Sequence, residues 1–426
     1  MRLREPDMLS LTSFRFLHAA DVHLDSPLHG LSRYEGLPAD EIRAATRAAF
    51  DNLVGHAIAE AVDFVLIAGD LFDGEWRDMS TGLYLARALG RLDQAGVAVF
   101  ILAGNHDATS VITRNVPWPP NVRQFGSREP ETHRLDELGV AIHGQSFATA
   151  AVTANLAAGY PAAESHMFNI GMLHTALAGR RGHAAYAPCS VEDLSAKGYD
   201  YWALGHVHEH EIVSREPWIV FPGAVQGRTI RETGPKGAVV VTVTDREIRA
   251  VEHVPFDVVR WTSVELDCGG ASFDDFAALA RAALRDAKAA DVSGGPLIVR
   301  LTLVGATSAA GAYHDAAEQL RNDARAIAAS LSPDLFVEKV RVAVTAPATA
   351  QVVTSGDLSA LIDEAASDAA LVAVLQADLD RFLGIVEGAA GPAEDGALRR
   401  AAAGGDWPTI VRTASLALRA RLAERA

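Results

Sequence analysis

The sequence predicts an α/β fold followed by an α+β region and a helical tail, and three observations carry that expectation. Short apolar runs such as Phe64-Val65-Leu66-Ile67-Ala68 and Val97 to Leu102 lack polar alternation, the mark of strands buried on both faces. Helical periodicity over Ala39 to Ala61 (Ile42, Ala45, Ala49, Leu53, Ile58) and over Thr81 to Gln94 separates these runs, which makes β-α-β units. The runs also end in residue types that bind metals, and in open α/β sheets ligands collect at the carboxyl ends of the strands.

A chain of 426 residues is too long for one compact core and suggests two or three domains. Residues 1–255 read as the α/β domain, 256–350 as an α+β domain and 351–426 as a helical C-terminal region. A hydrophobic fraction of 49% is ample for cores, and no window approaches the ~20 apolar residues of a membrane span. No membrane association is expected. The leader Met1 to Ser13 has no apolar h-region, and Met8 is an alternative start. Cys189 and Cys268 lie far apart and outside any metal spacing, which fits a reducing cytoplasm. The net charge of −16 argues against a generally cationic, DNA-coating surface. It leaves open a phosphodiester substrate, because bound divalent cations invert the local potential and a partner can supply basic surface.

The first strand, Phe14 to Ala20, delivers Asp21-Val22-His23, a carboxylate and an imidazole on the same side of an extended chain. The strand Phe64 to Ala68 leads through Gly69 to Asp70, and Gly69 permits the sharp exit. The helix over Thr81 to Gln94 closes at Gly96, suited to a left-handed cap, and the next strand ends in Gly104-Asn105-His106-Asp107. Asn105 offers a neutral carbonyl oxygen; His106 projects elsewhere and suits proton transfer. Val116 to Arg134, with Pro117, Pro119, Pro120 and Pro130, reads as a long irregular excursion.

Strands resume at Val140 to His143 and at Phe168 to Leu173, the latter ending in His174. Tyr201 to Leu204 ends in Gly205-His206-Val207-His208, whose two imidazoles project to one side. His210 continues the alternation and is expected to be exposed. His18, His29, His56, His133, His143, His166 and His253 are expected to be structural. Trp218 to Phe221 and Gly237 to Val243 add strands. Between them Arg228, Arg231 and Lys236 mark a basic, glycine-bearing loop that either meets a phosphate backbone or is a solvated hairpin. Beyond Pro255, strands near Val264 to Asp267, Pro296 to Leu303 and Leu335 to Val344 alternate with helices over Phe273 to Lys288 and His314 to Ser330. From Asp357 an alanine- and leucine-rich helical stretch follows, with a break at Gly-Ala-Ala-Gly-Pro (388–392) and resumption from Trp407.

Asp21, His23, Asp70, Asn105, His174, His206 and His208 together offer a ligand set that suits two adjacent ions. A mixture of carboxylate, amide and imidazole is too hard for zinc-thiolate chemistry and matches Mn2+, with Fe2+, Zn2+ and Mg2+ as alternatives. Two ions ~3.5–4 Å apart lower the pKa of a bridging water and clamp both oxygens of an in-line phosphoryl displacement.

In order and spacing these motifs resemble the calcineurin-like metallophosphoesterases, and within them the DNA repair nuclease branch that contains bacterial SbcD, most closely the YhaO-type proteins. The closer likeness rests on Leu173-His174-Thr175, His183-x-x-Tyr186-Ala-Pro188-Cys189, Tyr199 to His206 and Gly227-Arg228-x-Ile-Arg231-Glu232-Thr-Gly, and the resemblance covers roughly Phe14 to Val254. It implies a four-layer sandwich of two mixed β-sheets flanked by helices, with the α+β region as a capping domain. It also implies that Asp21, His23, Asp70 and His208 hold one ion, that Asp70 bridges to a second held with Asn105, His174 and His206, and that His106 stabilises the transition state or protonates the leaving oxygen. Where some family nucleases carry a second functional histidine after the central aspartate, this chain has Leu71-Phe72-Asp73. The expected activity is DNA phosphodiester hydrolysis alongside an SMC-like ATPase of the SbcC/YhaN type, with a homodimer as a further expectation. The competing expectations are a phosphoesterase for a small nucleotide, lipid or phosphoprotein ester, and a non-enzymatic scaffold built on the metal fold.

Overall fold

The computed structural model describes residues 13–26, 39–73, 79–109, 118–177, 186–347, 356–371 and 373–378, with a few isolated positions between 407 and 415. The leader before Ser13, His29, Pro117, His183, the break at 388–392 and nearly all of the stretch after Trp407 lie outside the described residues. The chain divides into two compact units, Met1–Thr262 with Asp291–Ile298, and Ser263–Ala290 with Val299–Ala426.

The first unit contains two six-stranded mixed sheets. Strands β1 (Ser13–Ala19), β2 (Phe64–Ala68), β3 (Ala98–Leu102) and β4 (Val122–Gln124) run parallel; β11 (Gly237–Thr244) pairs antiparallel with β1, and β12 (Glu247–Pro255) pairs antiparallel with β11 at the edge. The second sheet has parallel β6 (Val140–Gly144), β7 (Phe168–His174), β8 (Tyr201–Gly205) and β10 (Trp218–Phe221), with β5 (Glu131–Leu135) and β9 (Glu211–Arg215) antiparallel at its edges. The excursion over Val116 to Arg134 thus contains β4 and β5, both short edge strands. Their mostly polar sequences carry too little apolar pattern to be read locally, because an edge strand needs only one paired side.

Period two sorts the side chains into layers. From β2, Phe64 and Leu66 face the second sheet, where Phe16 stacks on Phe64 at 5.0 Å and meets Tyr201 edge-on at 5.2 Å. Val65 and Ile67 point the other way, into a core with Phe50 and Leu53 of α1 (Ala39–Ala59) and Leu85, Leu89 and Leu92 of α2 (Met79–Gln94). On the outer face of the second sheet, Leu173, Trp202, Leu204 and Phe221 pack with Leu194 of α3 (Val191–Ser195). The result is helix, sheet, sheet and helix. Burial of both faces explains why the parallel strands read as unbroken apolar runs.

In the second unit, β13 (Arg260–Asp267), β14 (Leu297–Val304) and β15 (Leu335–Val342) form a sheet in the order β13-β14-β15. The helices α4 (Phe276–Ala290), α5 (Ala310–Asp315), α6 (Ala317–Leu331) and α7 (Gly356–Ser367) accompany it. Phe276, Ala280 and Leu284 of α4 and Leu320, Ala324 and Ile327 of α6 are buried. Arg300 and Glu338 form a forked ion pair, with Nε to Oε2 at 3.0 Å and Nη2 to Oε1 at 2.6 Å.

Candidate metal centre

All the ligand candidates come together at one edge. The carboxyl ends of β1, β2 and β3 bring Asp21, His23, Asp70 and Asn105; those of β7 and β8 bring His174, His206 and His208. The backbone there is strained: Asp21, His23, Asp70 and His206 have φ of 51°, 45°, 52° and 99°, a region that costs non-glycine residues about 1–3 kcal/mol each. Glycines admit the close approach. A Cβ on Gly69, itself at φ 94°, would lie 2.5 Å from His174 Nδ1, and one on Gly104 would overlap the Asp70 carboxylate.

The carboxylates and imidazoles converge at spacings longer than ordinary hydrogen bonds. His208 Nε2 lies 3.6 Å from Asp21 Oδ1, His23 Nε2 lies 4.0 Å from Asp21 Oδ1 and 3.9 Å from Asp70 Oδ2, and His174 Nε2 lies 3.5 Å from Asp70 Oδ2. Two ligands sharing one ion at bond lengths of about 2.0–2.2 Å stand about 3–3.5 Å apart, so these spacings suit a shared cation better than direct hydrogen bonds. Asp21 Oδ1 and both ring nitrogens of His23 are buried without a hydrogen-bond partner. Such orphans are costly unless a cation meets them. The residues therefore fit a dinuclear metal group, with the clusters Asp21/His23/His208 and Asp21/Asp70/His174 each close enough to share an ion.

The remaining atoms of these groups are tied down. His174 Nδ1 donates to Ala68 O at 3.0 Å, which leaves Nε2 facing inward, 3.0 Å from Asn105 Oδ1. Asp21 Oδ2 accepts the His206 N–H and Asp70 Oδ1 the His106 N–H, both at 2.9 Å. Burial disfavours charge on Asp70, but His174, His23 and His106 outweigh it and hold the carboxyl below its ordinary range. Burial likewise disfavours charge on His174, yet Asp70 lifts its pKa to about 9. Burial pushes Asp21 up and His23 far down.

His106 stands beside this set. Its Nδ1 lies 2.8 Å from Asp73 Oδ1, and that hydrogen bond raises its pKa against the effect of burial. Asp73, noted in the sequence only as a departure, is thus the partner that orients His106, and the i, i+3 spacing Asp70-x-x-Asp73 is the signal that could have found it. Asp107 was assigned no role. It accepts the backbone N–H groups of Leu71 (3.1 Å), Phe72 (2.8 Å) and Gly104 (3.1 Å), bracing the ends of β2 and β3 together.

The basic loop is different from the expectation. Lys236 is buried and its Nζ donates to the His208 carbonyl at 3.1 Å, so it secures the ligand strand and does not face substrate. Arg228 is occupied by Glu232, with Nη2 to Oε1 at 3.2 Å. Arg231 is exposed. His210 is half-buried, not exposed, stacked on His253 at 4.6 Å.

A model of the calcineurin-like phosphoesterases matches residues 14–210, and one of the metallophosphoesterase YhaO middle domain matches residues 261–345. The chain is 37% identical over 299 residues to the uncharacterized metallophosphoesterase YhaO of Bacillus subtilis (strain 168), covering 69% of this chain and 72% of that one. It belongs to the calcineurin-like metallophosphoesterases of the YhaO type. A weaker likeness, 30% identity over 249 residues, links this metallophosphoesterase to the DNA double-strand break repair protein Mre11 of Methanopyrus kandleri, over 51% of this chain and 50% of that one. Among solved structures, a dimetal phosphatase from Danio rerio aligns over 57% of this chain and 97% of that chain, at 12% identity and a TM-score of 0.33. Metallophosphoesterases are hydrolases with a dinuclear metal site, and the groups above are its candidates here. Among the described residues, no helix is long and apolar enough to cross a membrane.

Proposed function

We propose that this metallophosphoesterase is a two-metal phosphodiesterase acting on DNA, the nuclease subunit of a complex with an SMC-like ATPase. The observation that carries the catalytic part is the convergence of the ligand set from two sheets with the His106–Asp73 pair beside it. When bound, the ion pair supplies Lewis-acid charge against the phosphoryl oxygens and a nucleophile at neutral pH. The protein's own part is to hold Asp70 ionised, to orient Asp21 and Asp70, and to place His106, whose hold on a proton Asp73 strengthens, where it can give that proton to the leaving oxygen. Mn2+ is the proposed metal, because no thiolate contributes and the donors are oxygen and imidazole nitrogen.

DNA is favoured by the likeness to the Methanopyrus kandleri repair protein. The partner is favoured by charge: the chain carries a net −16, and among the described residues Arg228 and Lys236 are already occupied. Leu361, Leu371, Val374 and Leu375 are 57%, 41%, 58% and 51% exposed, which makes the segment from Gly356 onward the proposed docking element. End-labelled duplex and single-stranded DNA should be degraded with Mn2+. Hydrolysis of a chromogenic bis-ester without any cleavage of DNA, even with the ATPase added, would instead favour a small-ester substrate. Truncation near Gly356 should spare bis-ester hydrolysis and abolish stimulation by the ATPase.

A further inference from the structure

We propose that Glu232, clamped by Arg228, is the positioning residue of His208: it fixes that imidazole's tautomer and so sets the affinity of the metal position formed with Asp21 and His23. The inference rests on the metal-centre reading above.

Glu232 Oε1 lies 2.6 Å from His208 Nδ1. A carboxylate there keeps the ring proton on Nδ1 and leaves the lone pair on Nε2, the atom that faces Asp21. His174 also directs its Nδ1 away from the centre, but to the neutral carbonyl of Ala68. A charged acceptor makes the imidazole a stronger donor to a cation than a carbonyl does, so the His208 position is the one that Glu232 tunes.

The carboxylate is itself held in place. Its Oε2 accepts the Arg228 backbone N–H at 2.7 Å and its Oε1 the Arg228 Nη2 at 3.2 Å. Arg228 Nη1 reaches the other way, to Ser26 Oγ at 3.3 Å, and lies 3.9 Å from Asp73 Oδ2, which Ser26 Oγ also donates to at 2.5 Å. One guanidinium therefore spans the carboxylate behind His208 and the carboxylate behind His106. The loop is fixed by Trp261, whose Nε1 donates to Gly227 O at 3.1 Å and whose carbonyl accepts Gly234 N–H at 3.0 Å.

The test is Mn2+ titration calorimetry on the full-length chain, stripped with chelator, comparing wild type with Glu232→Gln and Glu232→Asp. In Glu232→Gln one of two ion affinities should fall by about 10–100-fold, the size typical of a lost outer partner, while the other stays unchanged; Glu232→Asp should recover part of the loss. Nitrogen-15 NMR of the metal-free protein should show His208 losing its preference for the Nδ1–H tautomer in Glu232→Gln. Two unchanged affinities would overturn the proposal, as would equal loss at both positions with a lower melting temperature of the stripped protein, since that is the mark of a loop that only supports the fold. A wild-type chain that takes up no Mn2+ at all would defeat the metal-centre reading instead.

Discussion

The two sheets feed the centre from the same edge with different chemistry. The first supplies both carboxylates and the amide, Asp21, Asp70 and Asn105, with His23; the second supplies only imidazoles, His174, His206 and His208. Each side is oriented by the other. His174 is aimed by the Ala68 carbonyl of β2, and Asp21 is aimed by the His206 N–H beyond β8. The difference teaches a division of labour in which the first sheet carries the charge that attracts cations and the second sets how tightly and where each is held. It follows that the centre depends on the apolar packing between the sheets as much as on any ligand.

The most severe way to break this division is to remove the Asp70 carboxylate, which is proposed to serve both positions. Asp70→Asn should lose both ions, from about two per chain toward none, and hydrolysis with them, whereas His174→Gln should lose chiefly one ion. Metal analysis by mass spectrometry on dialysed protein checks it, and an Asp70→Asn chain that retains both ions with normal turnover would refute the bridging role.

Less severe is the loss of proton transfer. His106→Gln should keep both ions and lose ~10²–10⁴ in turnover, and Asp73→Asn should lose less, because it leaves the acid present but poorly oriented. If metal content falls in parallel with turnover in His106→Gln, that histidine is a ligand.

Much of this was readable in the chain because strand and ligand are neighbours in sequence: an apolar run ends, and the next few residues must face the edge. Asp21, His23, Asp70, Asn105, His174, His206 and His208 all follow that rule. Asp73 and Glu232 do not, since each acquires its role from a histidine contributed by a different strand; the Asp70-x-x-Asp73 spacing is a local hint for the first, and nothing comparable marks the second. Lys236 was misread for the same reason: a lysine in a glycine-bearing loop looks solvated until the fold buries it. The edge strands β4, β5 and β9 were missed because half-exposed strands carry little apolar pattern.

The smallest expected effect concerns the seam between the sheets. His18 of β1 is buried, with Nε2 donating to Leu204 O at 3.1 Å and Nδ1 accepting from Tyr201 OH at 3.0 Å, so it ties the first sheet to β8 as a neutral ring. Burial lowers its pKa from 6.5 to about 3, the Leu204 carbonyl opposing and His210 adding to the shift. Between those two values the unfolded chain binds a proton that the folded chain refuses, so stability rises with pH across that window. The contribution is complete above pH 6.5 and is lost as pH falls toward 3, with about 2–3 kcal/mol gone by pH 4.5. At pH 7, His18→Gln should be less stable than wild type by about 1–2 kcal/mol, the loss of one buried hydrogen bond. At pH 4.5 the order should level or reverse, because glutamine has no proton to exclude. Denaturant melts of chelator-stripped protein at both pH values measure the gap, and since Asp21, Asp70 and His253 titrate in both proteins, they cancel in the difference. A gap of the same size at pH 7 and pH 4.5 would mean that His18 is not held neutral in the folded protein.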